Sequence, residues 1–130
     1  MLTIRKQTRL RNCRRGAYAV EFAIAAPVLF MFVLGSLEFG RMHMVRNTLD
    51  NAVYEGTRRG LVLNSTTTDV TNTVNTILNV SRVNNPTTTA TITSDTVTVT
   101  CSVPMNNNSW VPPLFFRNIT LRSSLTLNRK

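Results

Sequence analysis

Arg14-Arg15-Gly16-Ala17-Tyr18-Ala19-Val20-Glu21-Phe22-Ala23-Ile24-Ala25-Ala26-Pro27, continuing apolar to Leu37, decides how the rest of this 130-residue chain is read. A basic cluster and a glycine precede 21 residues, 17–37, whose only charge is Glu21. As a helix at 1.5 Å per residue they span roughly 31 Å, which matches a hydrocarbon core of about 30 Å. Segment 17–37 is therefore predicted to cross a membrane. A charge at the centre of such a helix costs about 2.5–3.5 kcal/mol on insertion scales, so a lone intramembrane carboxylate points to a function.

The charge distribution supports the same reading. The chain carries a formal +9, and Arg5, Lys6, Arg9, Arg11, Arg14 and Arg15 place six positive charges before residue 17 with no acidic partner. The remaining nine basic and six acidic residues leave only +3. A nucleic-acid-binding domain would gather its excess on a folded face. Basic residues just ahead of an apolar helix instead follow the positive-inside pattern, with the N-terminus cytoplasmic and the C-terminal part across the membrane. Residues 1–16 read as a polar leader too short to fold. A conventional signal peptide fits poorly, because its apolar region runs about 7–15 residues to a small-residue cleavage site. An uncleaved signal anchor stays open.

Cys13 and Cys101 fall on opposite sides of the membrane in this topology and cannot pair. Cys101 is then a lone exported thiol, either buried in a sheet or open to a partner chain; burial is the expectation. Within the span, Ala19, Ala23 and Ala26 form a narrow small-residue face of the kind that lets membrane helices approach closely, although alanine is also simply common in membranes. Pro27 removes one backbone hydrogen bond and is expected to kink or open the helix locally.

Beyond the membrane the helical period persists. Val45, Leu49, Ala52, Val53, Gly56 and Gly60 make an apolar, small stripe, with Arg46, Asp50 and Glu55 on the solvated side. Arg58 and Arg59 ahead of Gly60 suit a helix C-terminus. One helix of about 40 residues is predicted, half in lipid and half outside. After a polar connection at 64–68, Asp69 starts a second helix with Val70, Val74, Ile77 and Leu78 on one face.

From Thr87 the period becomes two. Residues 89–93, a Ser94-Asp95 turn and 96–103 read as a hairpin, burying Ala90 and Ile92 against Val97, Val99, Cys101 and Val103. Threonine alternates onto the other face, where β-branching favours strand. A loop from Pro104 to Pro113 holds Asn106-Asn107-Asn108 and Trp110, and a last strand carries Ile119, Leu121, Leu125 and Leu127. Trp110, Leu114, Phe115 and Phe116 either plug the end of the sheet, the commoner arrangement, or form an exposed lip that meets a partner or lipid headgroups. The fold expectation is α+β. A long N-terminal membrane-spanning helix continues into a small extracytoplasmic domain with a second helix and an antiparallel sheet of about three strands.

Chemistry-bearing constellations are missing from the sequence. His43 has no partner at metal spacing, and no nucleophile elbow or phosphate-cradling glycine loop occurs. Glu38, Asp50, Glu55, Asp69 and Asp95 are too dispersed for an acid/base pair. The expectation is a protein that is not an enzyme, with no metal, cofactor, nucleic acid or small-molecule substrate.

Residues 14–29, with Gly35-Ser36-Leu37-Glu38-Phe39-Gly40-Arg41 and Asn51-Ala52-Val53-Tyr54-Glu55-Gly56-Thr57-Arg58-Arg59-Gly60, resemble the TadE-like family. Its members are pseudopilins or minor pilins of the tight-adherence (Flp-type) pilus machinery. The resemblance covers about 14–60; beyond that, only the helix-then-sheet order looks pilin-like. Charge, hydropathy and period together give a layout of leader 1–16, membrane helix 17–37, amphipathic continuation 38–60 and extracytoplasmic domain 61–130. The resemblance implies residence in a bacterial inner membrane, with a prepilin peptidase cutting between Gly16 and Ala17. Cleavage would remove the six leader charges and Cys13 and leave Glu21 as the fifth mature residue, followed by Phe22. A carboxylate about 6 Å into the helix is stabilised by pairing with a cation, and the new α-amine of a neighbouring subunit is the obvious one. Such a buried polar pair would set assembly register. Glu21 as a protonated or snorkelling anchor residue stays open. The implied partners are the peptidase, other pilins or pseudopilins, the inner-membrane assembly platform and lipid. The competing reading is an uncleaved, membrane-anchored extracytoplasmic binding module.

Overall fold

A computed structural model describes residues 6–129, and side chains from residue 16 onward. The side chains of Cys13, Arg14 and Arg15, with the rest of the basic leader's, lie outside the described residues. The chain divides into two compact units, the division falling between Ser36 and Leu37.

Helix α1 runs Lys6–Gly60, 55 residues without interruption, and passes through Pro27. It begins inside the stretch expected to be an unfolded leader. Lys, Gln, Arg and Leu are all good helix formers, and extending an existing helix avoids the nucleation cost that keeps a short peptide disordered. Between Gly16 and Gly60, α1 is long and apolar enough to cross a membrane. Tyr18, Val20, Phe22, Ile24, Leu29, Phe30 and Phe32 are all exposed in the isolated chain.

In the second unit the surface of α1 changes from apolar all round to striped. Val45, Leu49, Ala52, Val53, Gly56 and Gly60 are buried, as their spacing predicts, while Arg46 and Asp50 are exposed. Helix α2, Thr67–Val80, packs Val70, Val74 and Leu78 into the same core. It begins two residues before Asp69 because Thr66 and Asp69 form a capping box. The Thr66 hydroxyl accepts from the Asp69 N–H, and the Asp69 carboxylate accepts from the Thr66 N–H. The Thr66 N–H and hydroxyl hold Asp69 below the ordinary carboxylate value. At the other end Arg82 adopts a left-handed φ of 52°, and the Val83 N–H reaches back to Leu78 O at 3.0 Å. This is a helix stop usually built with glycine.

The sheet is an antiparallel meander of β1 (Thr87–Ile92), β2 (Thr96–Pro104) and β3 (Thr120–Asn128), in that spatial order. Ile92 lies opposite Val97, and Ala90 opposite Val99. Val97, Val99, Cys101 and Val103 are fully buried, so β2 supplies the sheet's contribution to the core. The other face carries hydroxyl pairs across the strands, Thr98 with Thr126 at 2.9 Å and Thr100 with Ser124 at 2.8 Å. The architecture is the expected α+β fold. Cys101 is buried beside Thr88, its thiol pushed up in pKa by desolvation. A buried thiol of that kind is inert packing.

Two glycines fix how closely α1 approaches its neighbours. A Cβ on Gly56 would collide with Cγ2 of Val74, and one on Gly60 would lie 2.6 Å from Cγ1 of Val97. Gly40, in contrast, has nothing within 4 Å of the equivalent position. Gly56→Ala should destabilise the full chain in detergent, because overpacking costs about 1–3 kcal/mol and the gain in helix propensity recovers at most about 1 kcal/mol. Gly40→Ala should be stabilising by about 0.5–1 kcal/mol. Thermal unfolding of the two variants checks the pair; equal midpoints would mean that the α1–α2 contact relaxes freely.

Candidate functional site

Gly16, Ala17, Glu21, Phe22 and Pro27 all lie on α1 in the first unit and are exposed. Helical geometry puts Glu21 one turn from Ala17, about 6 Å along the axis. Phe22 is 70 % exposed. Among the described residues no side chain hydrogen-bonds or ion-pairs with Glu21. Among the described residues, then, this carboxylate stands on an apolar helix with nothing to neutralise it.

The second unit treats its own glutamate in the opposite way. Glu38 is 1 % exposed, and its carboxylate accepts three consecutive backbone N–H groups, from Leu114 at 3.3 Å, Phe115 at 3.1 Å and Phe116 at 2.8 Å. Burial pushes its pKa up, but the three donors, Phe116 foremost, outweigh that and hold it below the ordinary carboxylate value. One turn later Arg41, also buried, donates from Nε to Asn108 O at 2.9 Å and from Nη2 to Arg82 O at 3.1 Å. Its guanidinium carbon lies 5.1 Å from the centroid of the Trp110 ring, within cation–π range. Burial lowers the Arg41 pKa. Among the described residues the one ion pair is Arg58–Glu55 at 3.9 Å, on the surface. The Arg41 charge is therefore met by carbonyl oxygens and a ring face rather than by a carboxylate.

Asn108 completes the clamp. Its side chain donates to Asn84 O at 2.9 Å and Pro104 O at 2.7 Å, and accepts from the Asn84 N–H. Asn106 pairs with Asn118 in the same loop, which lets Asn118 take a φ of 63°. The loop between β2 and β3 is thus tied to α1 by Glu38 and Arg41 and to the end of α2 by Asn108. Sequence reading treated Glu38 as one of several dispersed carboxylates and the asparagine run as plain loop. The available signal was the spacing of Glu38 and Arg41, one helical turn apart on the buried side of α1.

The clamp holds apolar side chains outward. Trp110, Leu114 and Phe115 are 65 %, 58 % and 55 % exposed. This corrects the expectation that they plug the sheet, an end that Met105 and Leu121 fill instead. Phe116 is half-buried against Phe39, ring centroids 6.4 Å apart, and His43 stacks on the same Phe39 at 6.3 Å.

Because the folded-state pKa of Glu38 is depressed, its stabilisation is complete above the unfolded carboxylate value and is lost as pH falls through the lowered folded value. Acidification below the ordinary carboxylate range should therefore release residues 114–116. Trp110, the sole tryptophan, should report this as a change in emission before global unfolding. Glu38→Gln should remove the acid transition and cost about 1–3 kcal/mol at neutral pH, the range for buried donors left unsatisfied. An unchanged acid transition in that variant would exclude Glu38 as its source.

Comparison with known proteins places the N-terminal half of α1 and much of its continuation in context. Residues 16–58 match the family model described as TadE-like protein. No curated protein and no solved structure matches the chain. The match begins at the glycine that precedes the apolar segment, includes Glu21 and Pro27, and extends through both clamp residues on α1. Over residues 16–58, about a third of its length, this chain is similar to the TadE-like family.

Proposed function

We propose that the chain is a minor pilin or pseudopilin, a structural subunit for assembly of a tight-adherence pilus. The observation that carries this reading is Glu21: within a segment matching the TadE-like family, it sits on an exposed apolar helix with no partner among the described residues. A prepilin peptidase hydrolyses the Gly16–Ala17 bond, leaving a carboxylate on Gly16 and a free amine on Ala17. Helix α1 runs through this bond, so the scissile peptide has to leave its helical hydrogen bonds to be cut. Glycine eases that step, being about 0.8–1.0 kcal/mol less favourable than alanine in a helix interior.

After cleavage the Ala17 ammonium of one subunit neutralises Glu21 of the next. Desolvated charges separated by a few ångströms attract strongly only when paired, so an out-of-register helix leaves a carboxylate unmatched in lipid. Single-pass topology puts the N-terminus in the cytoplasm and the second unit on the far side of the inner membrane. The partners are the peptidase, neighbouring pilins or pseudopilins, the inner-membrane assembly platform and the surrounding lipid. Such a subunit has a structural role, not an enzymatic one.

An uncleaved anchor carrying a binding module is favoured by one observation, the continuity of α1 through Gly16. Intact mass and N-terminal sequencing of the membrane form separate the two. The pilin reading expects a chain that starts at Ala17, with processing blocked by Gly16→Leu. A mature protein that retains its leader would overturn it. Glu21→Ala should be inserted and processed at normal levels yet fail in pilus assembly; normal piliation would remove the pairing role.

A further inference from the structure

The loop held by Glu38 presents Trp110, Leu114 and Phe115 as a lip, with Phe39 of α1 beside Phe116 of the same loop; Trp110, Leu114, Phe115 and Phe39 are all at least 55 % exposed. We propose that this lip is an interfacial anchor that seats in the headgroup layer of an anionic phospholipid membrane. The inference rests on the membrane-spanning reading of 17–37 and adds a second, independent contact with the same bilayer.

Position along the chain is the first argument. Glu38 directly follows Leu37, the last residue of the apolar span, and it holds the backbone of Leu114, Phe115 and Phe116. Arg41, which packs on Trp110, is four residues past Leu37, or about 6 Å along the helix. The polar layer on each side of a bilayer is about 5–8 Å deep, from the difference between its total and hydrocarbon thickness. Trp110 is thus held close to the end of the apolar segment, and tryptophan, its ring half apolar and half wet, is the residue enriched in that interfacial band.

Charge is the second argument. Arg82 and Arg117 are exposed on the segments that form the lip, whereas residues 104–120 and 81–86 contain no Asp or Glu. The one carboxylate nearby, Glu38, is buried and satisfied. The other carboxylates of the second unit lie farther along α1 (Asp50, Glu55), at the start of α2 (Asp69) and in the β1–β2 turn (Asp95), at the opposite end of β2 from this loop. A cationic, aromatic surface with no exposed acid fits anionic lipid phosphates.

The third argument is rigidity. Three hydrogen bonds to Glu38 and the Asn108 contacts to Asn84 and Pro104 fix the loop. The rings are held outward by the fold itself, so the lip is preformed.

Trp110 is the only tryptophan, so its fluorescence in the full chain reads this contact without labelling. The protein is reconstituted into vesicles of phosphatidylglycerol and phosphatidylethanolamine carrying lipids brominated either near the headgroup end or deep in the acyl chain. Flotation of the vesicles establishes membrane insertion separately. The expected result is blue-shifted emission, quenched at least about twofold more by shallow than by deep bromines, as interfacial tryptophan requires. Arg117→Glu should reduce quenching in anionic vesicles and leave it unchanged in zwitterionic ones. Solvent-like, unquenched emission from protein that floats with the vesicles overturns the lip contact while the membrane span stands. Blue-shifted emission without lipid quenching also overturns it, in favour of burial against a second copy. Failure to float defeats the membrane-spanning reading and this inference with it.

Discussion

Glu38 accepts hydrogen bonds from three successive backbone N–H groups, and the second unit's loop depends on that one carboxylate. A loop that turns through Leu114, Phe115 and Phe116 leaves its amide donors pointing inward, and buried donors must find acceptors. A neutral side chain could not satisfy three at once; a carboxylate, with four lone-pair sites and no hydrogen of its own, can. The charge that would be costly to bury alone is stabilised by the donors it satisfies. The Glu38 position on α1 then decides where the loop sits, and Arg41 and Asn108 fix its remaining freedom.

Helix α1 faces two solvents with one backbone. From Tyr18 to Phe32 its apolar residues point in all directions, the pattern of a helix surrounded by apolar material. From Val45 onward only one stripe is apolar, and small residues let α2 and β2 come close at Gly56 and Gly60. The switch falls at Gly35-Ser36-Leu37-Glu38. The Ser36 hydroxyl bonds back to Phe32 O at 2.8 Å, closing its polar group on the helix itself. The first residue of α1 whose side chain hydrogen-bonds to a partner outside the helix, among the described residues, is Glu38.

Much of this was legible in the sequence because period and alternation are direct consequences of helix and strand geometry. Val45, Leu49, Ala52, Val53 and the valines of β2 are buried where their spacing puts them. Capping chemistry explains the shift of α2's start, since Thr66 and Asp69 carry the signal three residues apart. The clamp was not legible in that way. Glu38 and Arg41 meet residues 114–116 and 108 across more than sixty positions of chain, and their partners are mostly backbone groups, which carry no sequence signature. The choice between the two arrangements open to Trp110 and its neighbours is hidden from the sequence for the same reason. Whether an aromatic cluster in a loop plugs a core or faces outward depends on which groups hold the loop's backbone.

The two glutamates of α1 are informative as a pair. They occupy the same helix, each followed by phenylalanine, Glu21-Phe22 and Glu38-Phe39. Glu38 is buried with every donor it needs inside its own chain. Glu21 is exposed on an apolar surface, and among the described residues nothing donates to it. A carboxylate satisfied within the fold contributes to that fold and has little to offer a partner. One that the fold leaves unsatisfied contributes nothing to the monomer and carries a penalty in lipid. Its free energy improves only when a donor arrives from another molecule. The proposed link between Glu21 and a neighbouring α-amine draws on that asymmetry: the same residue type on one helix is satisfied within the chain at Glu38 and has no partner among the described residues at Glu21.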